Sequence, residues 1–307
     1  MAKHESRYNG VLIVNKPQDF TSFDVVAKLR GILHERRIGH GGTLDPMATG
    51  VLPVFVGGAT KAADMAAAQA KEYIAGFALG YATDTQDSTG TEIARSDKTV
   101  TRQQLEQAVS AMQGEQQQLP PMYSAVKVNG QRLYDLARKG VEVERKARPI
   151  TVHAAELLAF DEASQCGSIR FHCSKGTYVR TLVHDLGETL GTWAVMTALQ
   201  RTTSGRYTLE QSHTLEQIQA AAEADHIESL LLDTDSLFQM YPAVTMDDYG
   251  YQRALNGAFI TPEHVTDMPR QAGTLCRVYY QGAFWMLGRV DTLDRGGLAL
   301  FYEKRFR

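Results

Sequence analysis

The chain has 307 residues, 43% hydrophobic and 22% charged, with a formal net charge of −3; these are ordinary values for one large globular domain plus a small one. No apolar run approaches the roughly 20 residues of a membrane helix, and the run at residues 11–14, behind the polar residues 1–7, is too short for the core of a signal peptide. Three scattered cysteines, Cys166, Cys173 and Cys276, form neither metal-spaced pairs nor a disulfide framework, so a reducing cytoplasm is expected.

In chain order, residues 10–14 read as a short buried strand ending at Asn15-Lys16-Pro17. Thr21 or Ser22 caps a helix with Val25, Val26, Leu29, Ile32 and Leu33 on its apolar face. A glycine-rich loop follows, then a strand at 51–56, an alanine-rich helix over about 60–69 and a strand at 71–79. Thr101-Arg102-Gln103-Gln104 is a capping box opening a helix to about Met112. Asn129-Gly130 marks a hairpin turn, and residues 131–139 a helix closed by Gly140. Residues 168–173 alternate as a half-buried strand, and 178–190 form a helix stopped by Gly191. Beyond Tyr241-Pro242, short strands at 275–279, 284–290 and 298–302 are separated by glycines. The order of elements lacks a regular βαβ alternation, so the expected class is α+β, with a mixed, largely antiparallel central sheet and flanking helices. Residues 1–240 are expected to form the main domain, and 241–307 a small β-rich one.

The most informative segment is Gly39-His40-Gly41-Gly42-Thr43-Leu44-Asp45-Pro46-Met47-Ala48-Thr49-Gly50. It surrounds one carboxylate with glycines, a proline and small residues, which lets a planar substrate approach the backbone closely. An Asx turn before Pro46 is the plainer reading of the Asp-Pro pair alone. The net charge is not that of a typical nucleic-acid binder, but clustering matters more than the sum. Lys28, Arg30, Arg36 and Arg37 precede the loop, and Lys127, Arg132, Arg138, Lys139, Arg145, Lys146 and Arg148 share one central segment. Acidic residues gather at Glu216, Glu223, Asp225, Glu228, Asp233 and Asp235.

The Asp45 segment resembles the catalytic motif of the TruB family of tRNA pseudouridine synthases. Further blocks stand in the same order: residues 10–17, Lys71-Glu72-Tyr73, residues 80–90 with Thr83-Asp84-Thr85-Gln86-Asp87, residues 120–127, and residues 173–181. The resemblance implies a synthase that isomerises the T-arm uridine, position 55 in standard tRNA numbering, after flipping it from the stack. Asp45 is then the nucleophile and Arg180 the cation whose planar fork holds its carboxylate. Tyr73 is the active-site tyrosine that stacks on uracil or helps move a proton. Tyr178 and Leu199 fall at substrate-pocket positions, although core packing explains Leu199 equally well. His40 matches a histidine that binds substrate and fills the gap left in the stack, and Lys16 takes a secondary place at the pocket edge.

Isomerisation transfers no group out of the substrate and changes no oxidation state, so neither metal nor nucleotide cofactor is implied. His34, His40 and His172 form no ligand set. Residues 83–90 lack the spacing of a calcium loop and read as a structural turn near the site. The excursion at about 121–149 matches the family's RNA-gripping insertion, although its charges alone read equally as a solvated helical hairpin. The C-terminal residues have the length and strands of the PUA-type RNA-binding domain often found in the family, without a motif specific to it. The expected partner is the tRNA T-arm stem-loop, with no membrane and no obligate protein partner. The rivals are a non-catalytic tRNA-binding or RNA-folding protein on the same scaffold, and an unrelated hydrolase with an aspartate nucleophile, which would need an acid/base pair or a metal set.

Overall fold

The computed structural model describes residues 6–124, 126–128 and 130–306. Strand β1 (Gly10–Lys16) is apolar from Gly10 to Val14 because it is covered on both faces: Val11 and Ile13 enter one core cluster, Leu12 and Val14 another. Thr21 caps α1 (Ser22–Leu33) with a reciprocal box, its hydroxyl accepting from the Asp24 amide at 3.0 Å and its own amide donating to the Asp24 carboxylate at 2.8 Å. Val25, Val26, Leu29 and Leu33 form the buried stripe. A short strand that the residue pattern does not reveal, β2 (Ile38–His40), pairs with β3 (Thr49–Val56).

After β3 the expected helix over 60–69 is replaced by a 3₁₀ segment, Gly57–Ala62, and a short α2 (Ala63–Ala67). The Thr60 hydroxyl donates to the Gly57 carbonyl at 2.7 Å, which favours the tighter winding. Strand β4 (Lys71–Leu79) has the expected bounds. β5 (Tyr81–Thr83) and β6 (Glu92–Arg95) flank the Thr83–Gly90 turn, and the Thr101/Gln104 box opens α3 (Arg102–Ala111) before β7 (Gly114–Gln118).

The excursion beyond β7 contains the hairpin β8 (Lys127–Val128) and β9 (Gln131–Arg132), then α4 (Leu133–Ala137). Gly130 has φ +81°; Asn129, Ala125 and residues 1–5 lie outside the described residues, as do the side chains of Lys127 and Arg132. The expected helix over 131–139 is shortened at both ends. Residues 131–132 pair with β8, and Gly140, at φ +68°, closes on the Ala137 carbonyl.

Strand β10 (Arg148–Asp161) is not visible as a strand in the residue pattern, and β11 (Cys166–Cys173) begins earlier than its alternation indicates. α5 (Val179–Leu190) stops at Gly191, φ +67°, as expected. β12 (Ala194–Ser204), β13 (Tyr207–Thr208), α6 (Leu215–Glu223) and β14 (Leu231–Leu232) complete the body. The central sheet has the order β14-β1-β3-β12-β4-β11-β10-β7, with β2 and β13 attached at β3 and β12. Its pairings are antiparallel except β3 with β12, which is parallel and limited to Thr49–Gln200 and Gly50–Arg201. The fold is therefore α+β with a mixed sheet. α1 and α6 cover one half of it and α3 and α5 the other.

A second, five-stranded sheet follows: β15 (Ala243–Met246), α7 (Asp248–Leu255), β16 (Val265–Thr266), β17 (Leu275–Tyr280), β18 (Ala283–Thr292) and β19 (Leu298–Arg305), in the order β16-β15-β17-β18-β19. It has its own core around Val278, Met286 and Leu300. Phe306 and Phe284 also pack with tilted rings against Phe238 of the body, their centroids 5.2 and 5.9 Å from its own. Among the described residues no helix is long and apolar enough to cross a membrane.

The junction of the half-sheets makes a test of the fold. Gly50 has φ +99°, and a Cβ there would lie 2.2 Å from the Arg201 carbonyl oxygen. Gly50→Ala should therefore destabilise the protein by more than about 2 kcal/mol. Gly31, inside α1, has nothing within 4 Å of its missing Cβ, and Gly31→Ala should stabilise by up to ~1 kcal/mol. Urea unfolding of both variants checks the contrast; a Gly50→Ala midpoint equal to wild type would contradict the account.

Candidate active site

The Asp45 loop crosses the end of the sheet where β3 and β12 meet, and four contacts fix it. Ser22, the first residue of α1, holds Leu44: its hydroxyl accepts from the Leu44 amide at 2.8 Å and donates to the carbonyl at 3.3 Å. The Gly41 amide donates to Pro53 at 2.8 Å, and Arg201 Nη2 donates to the Gly42 carbonyl at 3.3 Å. The fourth contact is Lys16. Its amine, with no exposed surface, donates to the carbonyls of Pro17, Phe20 and Pro46 at 2.8, 2.5 and 3.2 Å. Burial pushes this amine down to about 8, against the pull of Asp19 and Asp45. The same lysine thus ties the strand end to the residue after Asp45.

The loop forms one wall of a cavity of about 270 Å³, lined by Asp45, Lys71, Tyr73, Tyr178, Arg180, Leu199 and Arg201 among others. Arg180 is buried in the first turn of α5, with its Nε 3.0 Å from Asp45 Oδ2. The expected fork on Asp45 is not what the guanidinium makes. Its Nη1 lies 3.5 Å from Asp87 Oδ2 and donates to the Thr85 carbonyl at 3.0 Å, while Nη2 donates to the Tyr123 carbonyl at 3.0 Å. Asp87 is fixed in turn, since its Oδ1 accepts from the hydroxyls of Thr85 and Thr89 at 2.8 and 2.6 Å. The Thr83–Gly90 turn therefore anchors the arginine that faces Asp45. The Asp45 side chain keeps 38% of its surface open, against 6% for Arg180, so the carboxylate is held from behind and presented to the cavity.

Tyr73 and Arg201 are directly opposed across β4 and β12, with Leu199 opposite Ala75 two residues farther on. Burial pushes the Tyr73 phenol up, partly offset by the charge of Arg201, so at neutral pH it is a protonated ring beside a cation. Tyr178 caps α5, and its amide and carbonyl both bond the Gln118 side chain, at 2.8 and 3.0 Å. The geometry brings Asp45, Tyr73, Tyr178, Arg180 and Leu199 around one space. It leaves two sequence candidates outside that wall. Lys16 holds backbone rather than edging the cavity. His40, at the end of β2, is half-buried; its Nδ1 has no hydrogen-bond partner among the described residues, and burial, then the charge of Arg201, lowers its pKa. The residue pattern does not single out Lys71, Arg201, Gln118 or Ser124, which also lines the cavity, as site residues. The alternation of β4 does place Lys71 and Tyr73 on one buried face.

Residues 30–179 match the family described as "TruB family pseudouridylate synthase (N terminal domain)", and residues 180–239 match the "tRNA pseudouridylate synthase B C-terminal domain". A tRNA pseudouridine synthase B of Lactiplantibacillus plantarum is 45% identical over 282 residues, covering 90% of this chain and 92% of that protein. Another, of Bacillus thuringiensis, is 43% identical over 260 residues, covering 83% and 85%. Among solved structures, a chain of a Cbf5-Nop10-Gar1 complex superposes with a TM-score of 0.74 at 26% identity, over 97% of this chain and 85% of that one. A chain of an H/ACA RNP bound to a substrate RNA containing 2′-deoxyuridine shares the fold, with a TM-score of 0.73 at 23% identity and the same coverage.

Two outcomes follow from the site's geometry. Arg180→Lys keeps one charge but cannot meet Asp45, Asp87, Thr85 and Tyr123 together; single-turnover rates should fall at least ~100-fold, or about 2.7 kcal/mol, while the fold persists by circular dichroism. Lys16→Met leaves three carbonyls without their donor and should lower stability by about 2 kcal/mol or more. An unchanged urea midpoint for that variant would remove Lys16 from the support of the loop.

Proposed function

The chain belongs to the TruB family of pseudouridylate synthases, and we propose that it isomerises the T-arm uridine of tRNA, position 55, with Asp45 as nucleophile. The observation that supports this most is Asp45 itself: an open carboxylate on a fixed loop, backed by a buried arginine, facing an aromatic ring across a cavity. Isomerisation breaks the N1–C1′ bond and joins C1′ to C5 of the same base. An ionised carboxylate can begin it by attacking C1′, releasing uracil as an anion, or by adding to C6. In the first route the uracil turns over in the cavity and C5 displaces the carboxylate from C1′. The C5 proton then leaves and N1 gains one, so Asp45 is regenerated.

On this reading Tyr73 and Tyr178 receive the flipped base, Leu199 packs against it, and Tyr73 takes part in the proton movement. His40 supports the loop side of the opened stack and Lys16 acts through the backbone of Pro46. Residues 1–240 form the synthase unit. The excursion at 121–149 grips the T-arm stem, and the sheet of residues 241–307 extends the RNA-facing surface. The exposed Arg138, Lys139 and Lys146 are the phosphate-binding groups of that excursion, whereas Arg145 donates to the Pro120 carbonyl at 3.0 Å and serves the fold.

Asp45→Asn should abolish pseudouridine formation in a T-arm stem-loop while leaving its affinity within about tenfold, or ~1.4 kcal/mol; turnover by the purified Asn variant near the wild-type rate would exclude Asp45 as nucleophile. Reversing the charge of Arg138, Lys139 and Lys146 together should weaken RNA binding and flatten its log–log salt slope by roughly 0.9 for each phosphate no longer neutralised, taking the B-DNA value. Titrations over a range of KCl test this. A wild-type affinity indifferent to salt would mean that stacking and shape carry the binding.

A further inference from the structure

Among the described residues, two cations in the cavity wall are left without an anion. Arg201 is 1% exposed and Lys71 6%, and both line the space that Asp45 faces. Arg180 has two carboxylates close by, but among the described residues no carboxylate stands within ion-pairing distance of either Lys71 or Arg201. Their hydrogen bonds go to neutral groups, backbone carbonyls and, for Arg201, also the Tyr73 hydroxyl. Lys71 Nζ donates to Ala67 and Gln69 at 2.6 and 2.5 Å, leaving a third proton; Arg201 uses Nε on Val51 at 2.7 Å and Nη2 on Gly42.

The two ends converge at Gly42. A Cβ on that residue would lie 3.7 Å from Arg201 Nη1 and 3.9 Å from Lys71 Cε, so both side chains flank one point of the loop. Ser174 lines the same cavity; its oxygen accepts from the Thr151 amide at 2.9 Å, which leaves its hydroxyl proton to donate. Adjacent buried cations disfavour each other, and burial, then Arg201, pushes the Lys71 amine down to about 8. Such an arrangement is costly unless an anion completes it. Uracil is neutral when it enters, whereas every nucleotide brings a phosphodiester with a permanent charge.

We propose that Lys71, Arg201 and Ser174 form an oxyanion subsite that takes a phosphodiester oxygen of the RNA beside the flipped uridine. The proposal rests on the reading that a flipped uridine occupies this cavity. It assigns the cavity two functions: the Asp45–Arg180 side meets the sugar and base, and the Lys71–Arg201 side fixes the backbone that delivers them. A bound oxyanion would also offset the burial that pushes the Lys71 amine down, so the ammonium is held more firmly when substrate fills the subsite.

The experiment uses the full chain and a T-arm stem-loop whose target uridine carries an uncharged methylphosphonate as its 5′ or its 3′ linkage. With wild-type protein, one of the two neutral linkages should raise Kd about tenfold, with a smaller change in kcat at saturation. In Lys71→Gln, where Arg201 and Ser174 remain, the same linkage should cost clearly less than in wild type, and Lys71→Arg should restore the sensitivity. Equal losses in wild type and Lys71→Gln would overturn the proposal, as would a loss confined to kcat, which would set the pair against charge developing on the base. Should Lys71→Gln fail to fold, wild-type protein decides: inorganic phosphate should compete with the all-phosphate RNA more strongly than with the neutral-linkage RNA, and equal competition would overturn the subsite. Absence of pseudouridine in the unmodified stem-loop with wild-type protein would instead be a failure of the proposed function.

Discussion

The site depends on one close approach of backbone, between Gly50 and Arg201. β3 and β12 are paired in register at two positions, Thr49 with Gln200 and Gly50 with Arg201, and the second is this one. A side chain on residue 50 would occupy the Arg201 carbonyl, so glycine is what allows the two half-sheets to join as a continuous surface. Arg201 then extends the junction through its side chain. Its guanidinium holds Val51 in the strand and Gly42 in the loop, and it stands opposite Tyr73 on the neighbouring strand. A single residue thus links the sheet, the loop that carries Asp45 and the ring across the cavity.

The loop itself is short of side chains that could hold it, which is the cost of letting a planar ligand come close. Its order is supplied from outside by Ser22, Lys16 and Arg201, each bonding a carbonyl. Arg180 is treated in the same way: Asp87, Thr85 and Tyr123 hold its two terminal nitrogens, leaving Nε to face Asp45. A guanidinium fixed at its far end can hold a carboxylate without wrapping it, so Asp45 keeps an open oxygen. A true two-pronged pair would have closed both.

Much of this is legible in the residues. The caps at Thr21 and Thr101, the strand at 71–79 and the stop at Gly191 are local features that propensity and capping chemistry determine. The glycine-rich loop around Asp45 and the aromatic and basic residues of the other motif blocks are visible as well. What cannot be read depends on contacts distant in sequence. β10 begins with a basic, proline-containing stretch whose strand character comes from pairing with β7 and β11. The alanine-rich segment after β3 winds tightly where Gly58 meets the Phe306 backbone, a contact made by the far end of the chain. Lys71 reads from its spacing as an ordinary strand residue; only the pairing of β4 with β12 sets it beside Arg201.

The cationic cavity also explains why the formal charge of −3 describes this protein poorly. Two of the three cations in the cavity wall, Arg180 and Arg201, are held almost entirely out of water, and Lys71 nearly so. Asp235 is also removed from the acidic surface, since it pairs with Arg277 at 3.2 Å where the C-terminal sheet meets the body. A charge in a low-dielectric wall acts on a ligand far more strongly than one exposed to solvent and salt. The potential that an incoming nucleotide meets is therefore set by a few enclosed guanidinium and ammonium groups, while the remaining charges act through screened water. For such a site the location of charge, rather than its total, determines which ligand it favours.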